Sequence, residues 1–378
     1  MYGILQLQEI FYLWKKIKGK REEQFAVSFK SKDKSKPLIF NGIFCLRKYL
    51  GQAIFSKQEI AYLHSLQKKS GKLLFEEQFI HFLSSLTFDV KIVAPLEGEI
   101  FFPGQPIIKV LGDQIVLVFF KKVIEHYLPR QIYLTTEVEK IISTTSSLDF
   151  IIENNFSTYN KDSNIDVRCG YIAGAVATED LSSALHFNIP ICFHENREKI
   201  KFLNVQDKNF LKNLSETNEG QSIFLKGKIS KEFIEEFPFL GKKLKGVVLD
   251  LSNFNENFVE PVFHYYRNTE VLDTDFKIFR YSYNGLYIGD IIGGQEQIVR
   301  KKMVFGKYLP HLKRKQILHD ICFSQEESVE TIKARVVENK RLLPCKYKSY
   351  ENPVSYPIKI LKKYSQRKQE SLSNTKFA

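Results

Sequence analysis

Cysteine, methionine and tryptophan are scarce in this 378-residue chain, which has five, two and one of them. Cys45, Cys169, Cys192, Cys322 and Cys345 are odd in number and never stand in a CxxC spacing. That excludes a disulfide framework and a zinc-ribbon type of site, and it suits a reducing, cytoplasmic setting. Long apolar runs are missing too. The most apolar stretch, Ile107 to Phe120, is broken by Lys109, Asp113 and Gln114, too short and too polar to span a bilayer. Met1 to Gln6 offers no basic region leading into an apolar one, so export is not expected. No glycine-rich GxGxxG or GxxxxGK phosphate loop occurs.

What is present is ample core material, 43% hydrophobic and 13% aromatic residues, enough for more than one domain. The formal net charge is +13. Its sources are scattered: Lys15 to Arg21, Lys30 to Lys36, His311 to Lys315, and Lys362 to Lys368. Such a spread describes solvated faces and no nucleic-acid motif accompanies it, so neither a nucleic-acid nor a membrane partner is expected.

Along the chain, Phe25 to Phe29 alternates as a half-buried strand. Asn41-Gly42 is a turn-like pair before a helix from Ile43 to about Tyr49. Ser56 and Glu59 form a capping box, opening a helix with Ile60, Leu63 and Leu66 on one face. From Ala94 to Val110, short apolar runs separated by Gly and Pro predict a small antiparallel layer. A long helix from Val116 to Ser147 is interrupted by Pro129. Short buried strands then alternate with helices: a strand at Tyr171, a helix at Ser182 to Ala184, a strand from Ile189 to Phe193, and a parallel-type strand from Gly246 to Leu251. A hairpin turning at Asn284-Gly285 follows. Ser324 and Glu327 form a second capping box, before a stripe of Val329, Ile332 and Val336.

Read together, several segments resemble the nicotinate phosphoribosyltransferase family. Phe40-Asn41-Gly42 is similar to its F-x-G-L, and Glu97 to Val110 to its E-G-x-x-x-F-P-x-x-P segment. Tyr171-Ile172-Ala173-Gly174 with Thr178 is similar to Y-I-G-G-F-D-G-T, and Glu351 to Pro357 to its N-P-x-x-Y-P tail. The resemblance implies an α/β fold, here an incomplete TIM-like barrel in the middle with an α+β domain built from both ends. The implied divisions are 1–110, 111–276 and 277–360, and the polar, basic stretch 361–378 reads as a disordered tail. A pairing of the Glu99 to Val110 region with Phe279 to Ile291 goes with them. The implied activity joins nicotinate to phosphoribosyl pyrophosphate in NAD salvage, with ATP and Mg as co-substrates and no tightly bound cofactor. The implied assembly is a homodimer, or a heterodimer with a complete relative.

The departures fall on the chemistry. Counted back from Tyr171, the family's tandem arginines land on Asn155 and Phe156. Its phosphohistidine lands on Arg197, and a shift of register brings in His194 instead. The G-V-R-L-D-S-G-D strand reads Gly246 to Asn253, keeping Asp250 but placing Val248 at the arginine. Only Asn253 to Phe276 joins that strand to the C-terminal β return, where the family carries a far longer stretch. The candidate catalytic residues are therefore His194 and Asp250, and the candidate substrate-binding residues are Asn155, Thr178 and Arg197. Each has a plain alternative: a strand-end cap for Asp250, a helix start for Thr178 to Asp180, a surface loop for His194. Arg168 and Cys169 read as structural. Three outcomes are open: a phosphoribosyltransferase with weak or lost catalysis, an active enzyme with repositioned residues, or a non-catalytic subunit or relic.

Overall fold

A computed structural model of the chain describes residues 3–17, 22–31, 36–104, 106–143, 149–153, 163–192, 200–204, 222–227, 244–251, 259–266, 278–283, 286–292, 319–320 and 327–342. The first half runs α1 (Ile4–Lys16), β1 (Glu22–Ser31), β2 (Leu38–Ile39), α2 (Ile43–Arg47), α3 (Lys57–Ser65), α4 (Glu77–Ser85), β3 (Val90–Ala94), β4 (Ile100–Phe101), β5 (Pro106–Asp113) and α5 (Gln114–Ser143). Next come β6 (Asp149–Glu153), α6 (Ser163–Ile172), β7 (Ala177–Thr178), α7 (Leu181–Phe187), β8 (Ile200–Asn204), β9 (Ser222–Gly227) and β10 (Leu244–Asp250). The described elements end with β11 (Val259–Tyr266), β12 (Ile278–Tyr283), β13 (Leu286–Ile292), β14 (His319–Asp320) and α8 (Val329–Leu342).

Two five-stranded sheets organise these elements. The first has the order β11-β1-β5-β3-β14, with every neighbour antiparallel. Its side chains, with those of α1 to α5, form a large core around Phe25, Phe29, Phe79, Phe119 and Phe120. β1 is buried on both faces, Ala26 and Ser28 as well as Phe25, Val27 and Phe29, and not the half-buried strand its alternation predicts. The chain's return to this sheet is made by β11, pairing with β1 from Gln24↔Tyr266 to Ser31↔Val259. Among the described residues the expected pairing of Glu99 to Val110 with Phe279 to Ile291 is not seen. β12 and β13 pair with each other, and β5 is already flanked by β1 and β3.

The second sheet is wholly parallel, in the order β7-β6-β10-β9-β8. Every neighbour follows its predecessor in sequence except at one place: β6, the first strand, lies directly against β10, the last. Beyond β7 a single parallel bridge, Thr178↔Ile191, is what the described residues show of the strand expected at Ile189 to Phe193.

Local sequence rules account for several boundaries. Ser56 and Glu59 make the reciprocal capping box that opens α3, although only Leu63 of the expected stripe is fully buried there. Pro129 does not interrupt α5, which runs continuously through it. The surrounding residues Ile124, Leu128, Ile132 and Leu134 are fully buried, and that packing outweighs a proline penalty of about 3 kcal/mol. The Tyr171 segment is the last turn of α6 and not a strand. Before α8, Ser328 Oγ accepts from the Thr331 amide at 3.2 Å and caps the helix there, while Ser324 of the expected capping box lies outside the described residues. Val329, Ile332 and Val336 are buried as the stripe predicts.

Candidate functional site

In parallel α/β sheets the chemistry gathers at the C-terminal ends of the strands. Here β6 and β10 end on register partners, Glu153 and Asp250. On the next strand Lys226 forms an ion pair with Glu153. Side chains alternate along a strand, so Ile151 and Glu153, Val248 and Asp250, and Phe224 and Lys226 share one face. Glu179, just past β7, adds a further acid: its charge, with that of Asp250, helps hold Lys226 above the usual lysine range. The largest contribution is the hydrogen bond to Glu153, and burial works against it.

Beneath this rim the same face is apolar. Ile151, Phe224 and Val248 form a small buried cluster with Cys192 packed against it. Val248 is completely buried. Gly246 is required by close approach: a Cβ there would lie 2.4 Å from Phe224 Cε1 and 2.5 Å from the Asp149 carbonyl oxygen. The Cys192 thiol is pushed up to about 11, by burial first and then by Glu179, so it carries little thiolate at neutral pH.

Asp250 sits in this group. Thr178 does not, since Ile152 is its register partner and that residue faces the other way. Its hydroxyl donates to the Ile152 carbonyl at 3.1 Å and accepts from the Asp180 amide at 3.0 Å. Asp180 in turn caps α7 through the Ser183 amide. Asn155, Phe156, His194 and Arg197 lie outside the described residues, as does the 361–378 tail. Glu153 and Lys226 were not legible in sequence, because only strand register brings them beside Asp250. Among the described residues no group of three or more His, Cys, Asp or Glu is placed to hold a metal ion.

The motifs of the first half that resemble the family meet elsewhere, in a buried polar network. Arg168 of α6 donates to Glu97 Oε2 at 2.5 Å and to Asn41 Oδ1 at 2.9 Å. Glu97 Oε1 accepts from the amides of Gly42 and Phe44 at 2.8 and 3.2 Å. Asn41 Nδ2 donates to Thr135 Oγ1 at 2.8 Å. The helix α8 closes over the other side: Arg335 donates to the Glu97 carbonyl at 2.5 Å, and Asn339 to the Gly98 carbonyl at 3.1 Å. Arg168 and Cys169, read as structural in the sequence, both belong to this buried network. Burial raises the Cys169 thiol well above its ordinary range.

The architecture, a parallel βα layer joined to an antiparallel sheet that the C-terminal part re-enters, is similar to that of two solved structures. The crystal structure of human nicotinic acid phosphoribosyltransferase superposes with a TM-score of 0.63 at 9% identity, over 92% of this chain and 95% of that one. Nicotinate-nucleotide pyrophosphorylase from Pyrococcus furiosus gives 0.59 at 11%, over 92% and 94%. In sequence, residues 4–123 match the family model described as the nicotinate phosphoribosyltransferase (NAPRTase) N-terminal domain. A nicotinate phosphoribosyltransferase (pncB2) of Mycobacterium tuberculosis is 21% identical over 150 residues, 39% of this chain. That alignment spans 31% of the relative's length. The likeness is carried in sequence by residues 4–123 and in fold by most of the chain.

Proposed function

We propose that this is a nicotinate phosphoribosyltransferase-like protein of NAD salvage whose own catalysis is weak or lost. The carrying observation is Val248. It stands where the family strand has arginine, fully buried against Ile151 and Phe224. Departure of pyrophosphate needs fixed donors within hydrogen-bond reach, and removing one such donor typically costs about 2.7–4 kcal/mol. The rim above is also of the wrong sign, with Glu153, Asp250 and Glu179 around one lysine. The direct β6–β10 pairing supports the further reading of a barrel short of strands, whose interior is filled by side chains.

The test is product formation by the purified chain from nicotinate and phosphoribosyl pyrophosphate, with and without ATP and Mg. The expected result is none above background and no phosphohistidine. Turnover abolished by His194→Ala overturns the reading and assigns the histidine. Turnover lost only in Asp250→Ala identifies a site without a phosphohistidine. A non-catalytic partner role is the alternative, and Leu181 and Leu185, 70% and 86% exposed on α7, are the surface that favours it. A homodimer or heterodimer in the cytoplasm completes this proposal, with light scattering as its check. No helix among the described residues is long and apolar enough to cross a membrane.

A further inference from the structure

We infer that Arg168 and the Gly42 and Phe44 amides form a carboxylate socket, with Glu97 as its built-in occupant and the positioning residue that orders the junction between the two sheets. Three donors converge on one carboxylate, at 2.5, 2.8 and 3.2 Å. The Arg168 and Glu97 side chains are only 3% and 8% exposed, so water does not compete for either group. Among the described residues Glu97 is the carboxylate whose charge acts on Arg168, with smaller contributions from the thiols of Cys169 and Cys45.

The donors are also held in place by bonds that do not involve Glu97. Arg168 keeps its hydrogen bond to Asn41, and its guanidinium lies 4.9 Å from the centre of the Phe44 ring. Asn41 is tied to Thr135 of α5. Gly42 has φ of +119°, and a Cβ there would lie 2.5 Å from Leu128 Cδ2. A socket fixed from several sides persists when its occupant is removed, leaving a buried cation and two bare amides. Such a hole selects a small monoanion of matching shape. The part deleted by Glu97→Ala is a CH2 and a carboxylate, the outline of acetate.

The experiment uses the full chain and thermal unfolding at constant ionic strength. Glu97→Ala is expected to melt well below the wild type and to recover in a saturable way with acetate or formate, but not with chloride or sulfate. The wild type is expected to show no saturable response, its socket being full. Glu97→Gln fills the space without the charge, so it should be destabilised yet indifferent to acetate. Adding Arg168→Met to Glu97→Ala should abolish the recovery. The inference is overturned if acetate acts no better than chloride on Glu97→Ala, or if that variant stays unfolded at every acetate concentration. Wild-type stability in Glu97→Gln overturns it as well.

Discussion

Lys226 and Glu153 are ion-paired on neighbouring sides of β10, and the lysine answers to two further acids, Glu179 and Asp250. Its raised pKa, set first by the Glu153 hydrogen bond, has a definite sign in stability. The contribution is fully present below the unfolded lysine value of about 10.4 and is lost as pH rises through the higher folded value. The gap in melting temperature between wild type and Lys226→Met should therefore hold steady through the neutral range and close only above about pH 10.4. A gap that closes near neutrality would point to a different titrating group.

Restoring the family's arginine by Val248→Arg should damage the fold before it helps any chemistry. An unpaired charge at a fully buried position costs about 3–5 kcal/mol. Val248→Ala should cost about 2 kcal/mol by comparison, from two lost methyl groups and a residual cavity. Urea unfolding of both variants checks the order, and an arginine variant as stable as the wild type would show an open interior at this site.

Gly246→Ala on the same strand should be destabilising by about 1–3 kcal/mol through overpacking. One of the three obstructing atoms is backbone, the Asp149 carbonyl oxygen, and cannot swing aside as a side chain can. The midpoint of urea unfolding reads this directly.

Arg168→Met should rank among the most harmful single changes, about 3–5 kcal/mol, because it leaves Glu97 charged and buried without its cation. Burial alone would raise the Glu97 carboxyl, but the Arg168 charge and hydrogen bond, with the Gly42 and Phe44 amides, bring it below the usual range. Its stabilisation is present above the unfolded value of about 4.3 and lost as pH falls through the lower folded value. Removing Arg168 reverses the shift, so acid unfolding of Arg168→Met should begin at higher pH than in the wild type.

The two capping boxes show how far local sequence carries. Ser56 and Glu59 satisfy each other within one turn, so spacing alone identifies the start of α3. Ser324 and Glu327 have the same spacing, but Ser324 lies outside the described residues; the cap seen before α8 is Ser328, and Glu327 pairs with Arg335 of α8. Ser328→Ala should cost about 1 kcal/mol, readable as reduced amide protection at the start of α8. The Tyr171 segment misleads because a short apolar run fits a buried helix turn as well as a strand. In α6 it packs under α8, where Lys333 lies 4.0 Å from the Tyr171 ring centre. β10 was legible because it is a continuous apolar run with polar ends. The Arg168–Glu97 pair was not, since its partners stand on separate elements and no periodicity links them.

The pairing of β1 with β11 sets the order in which this chain can assemble. β1 is complete as a sequence at Ser31, but one of its flanking partners is not made until Tyr266. At a ribosomal rate of about 5–20 residues per second, that leaves one edge of a central, aromatic-rich strand open for roughly 10–50 s. An open edge of this kind invites pairing with other chains. Synthesis itself is therefore the period of greatest exposure to aggregation, and a nascent chain halted before Val259 is the form a holdase chaperone would meet.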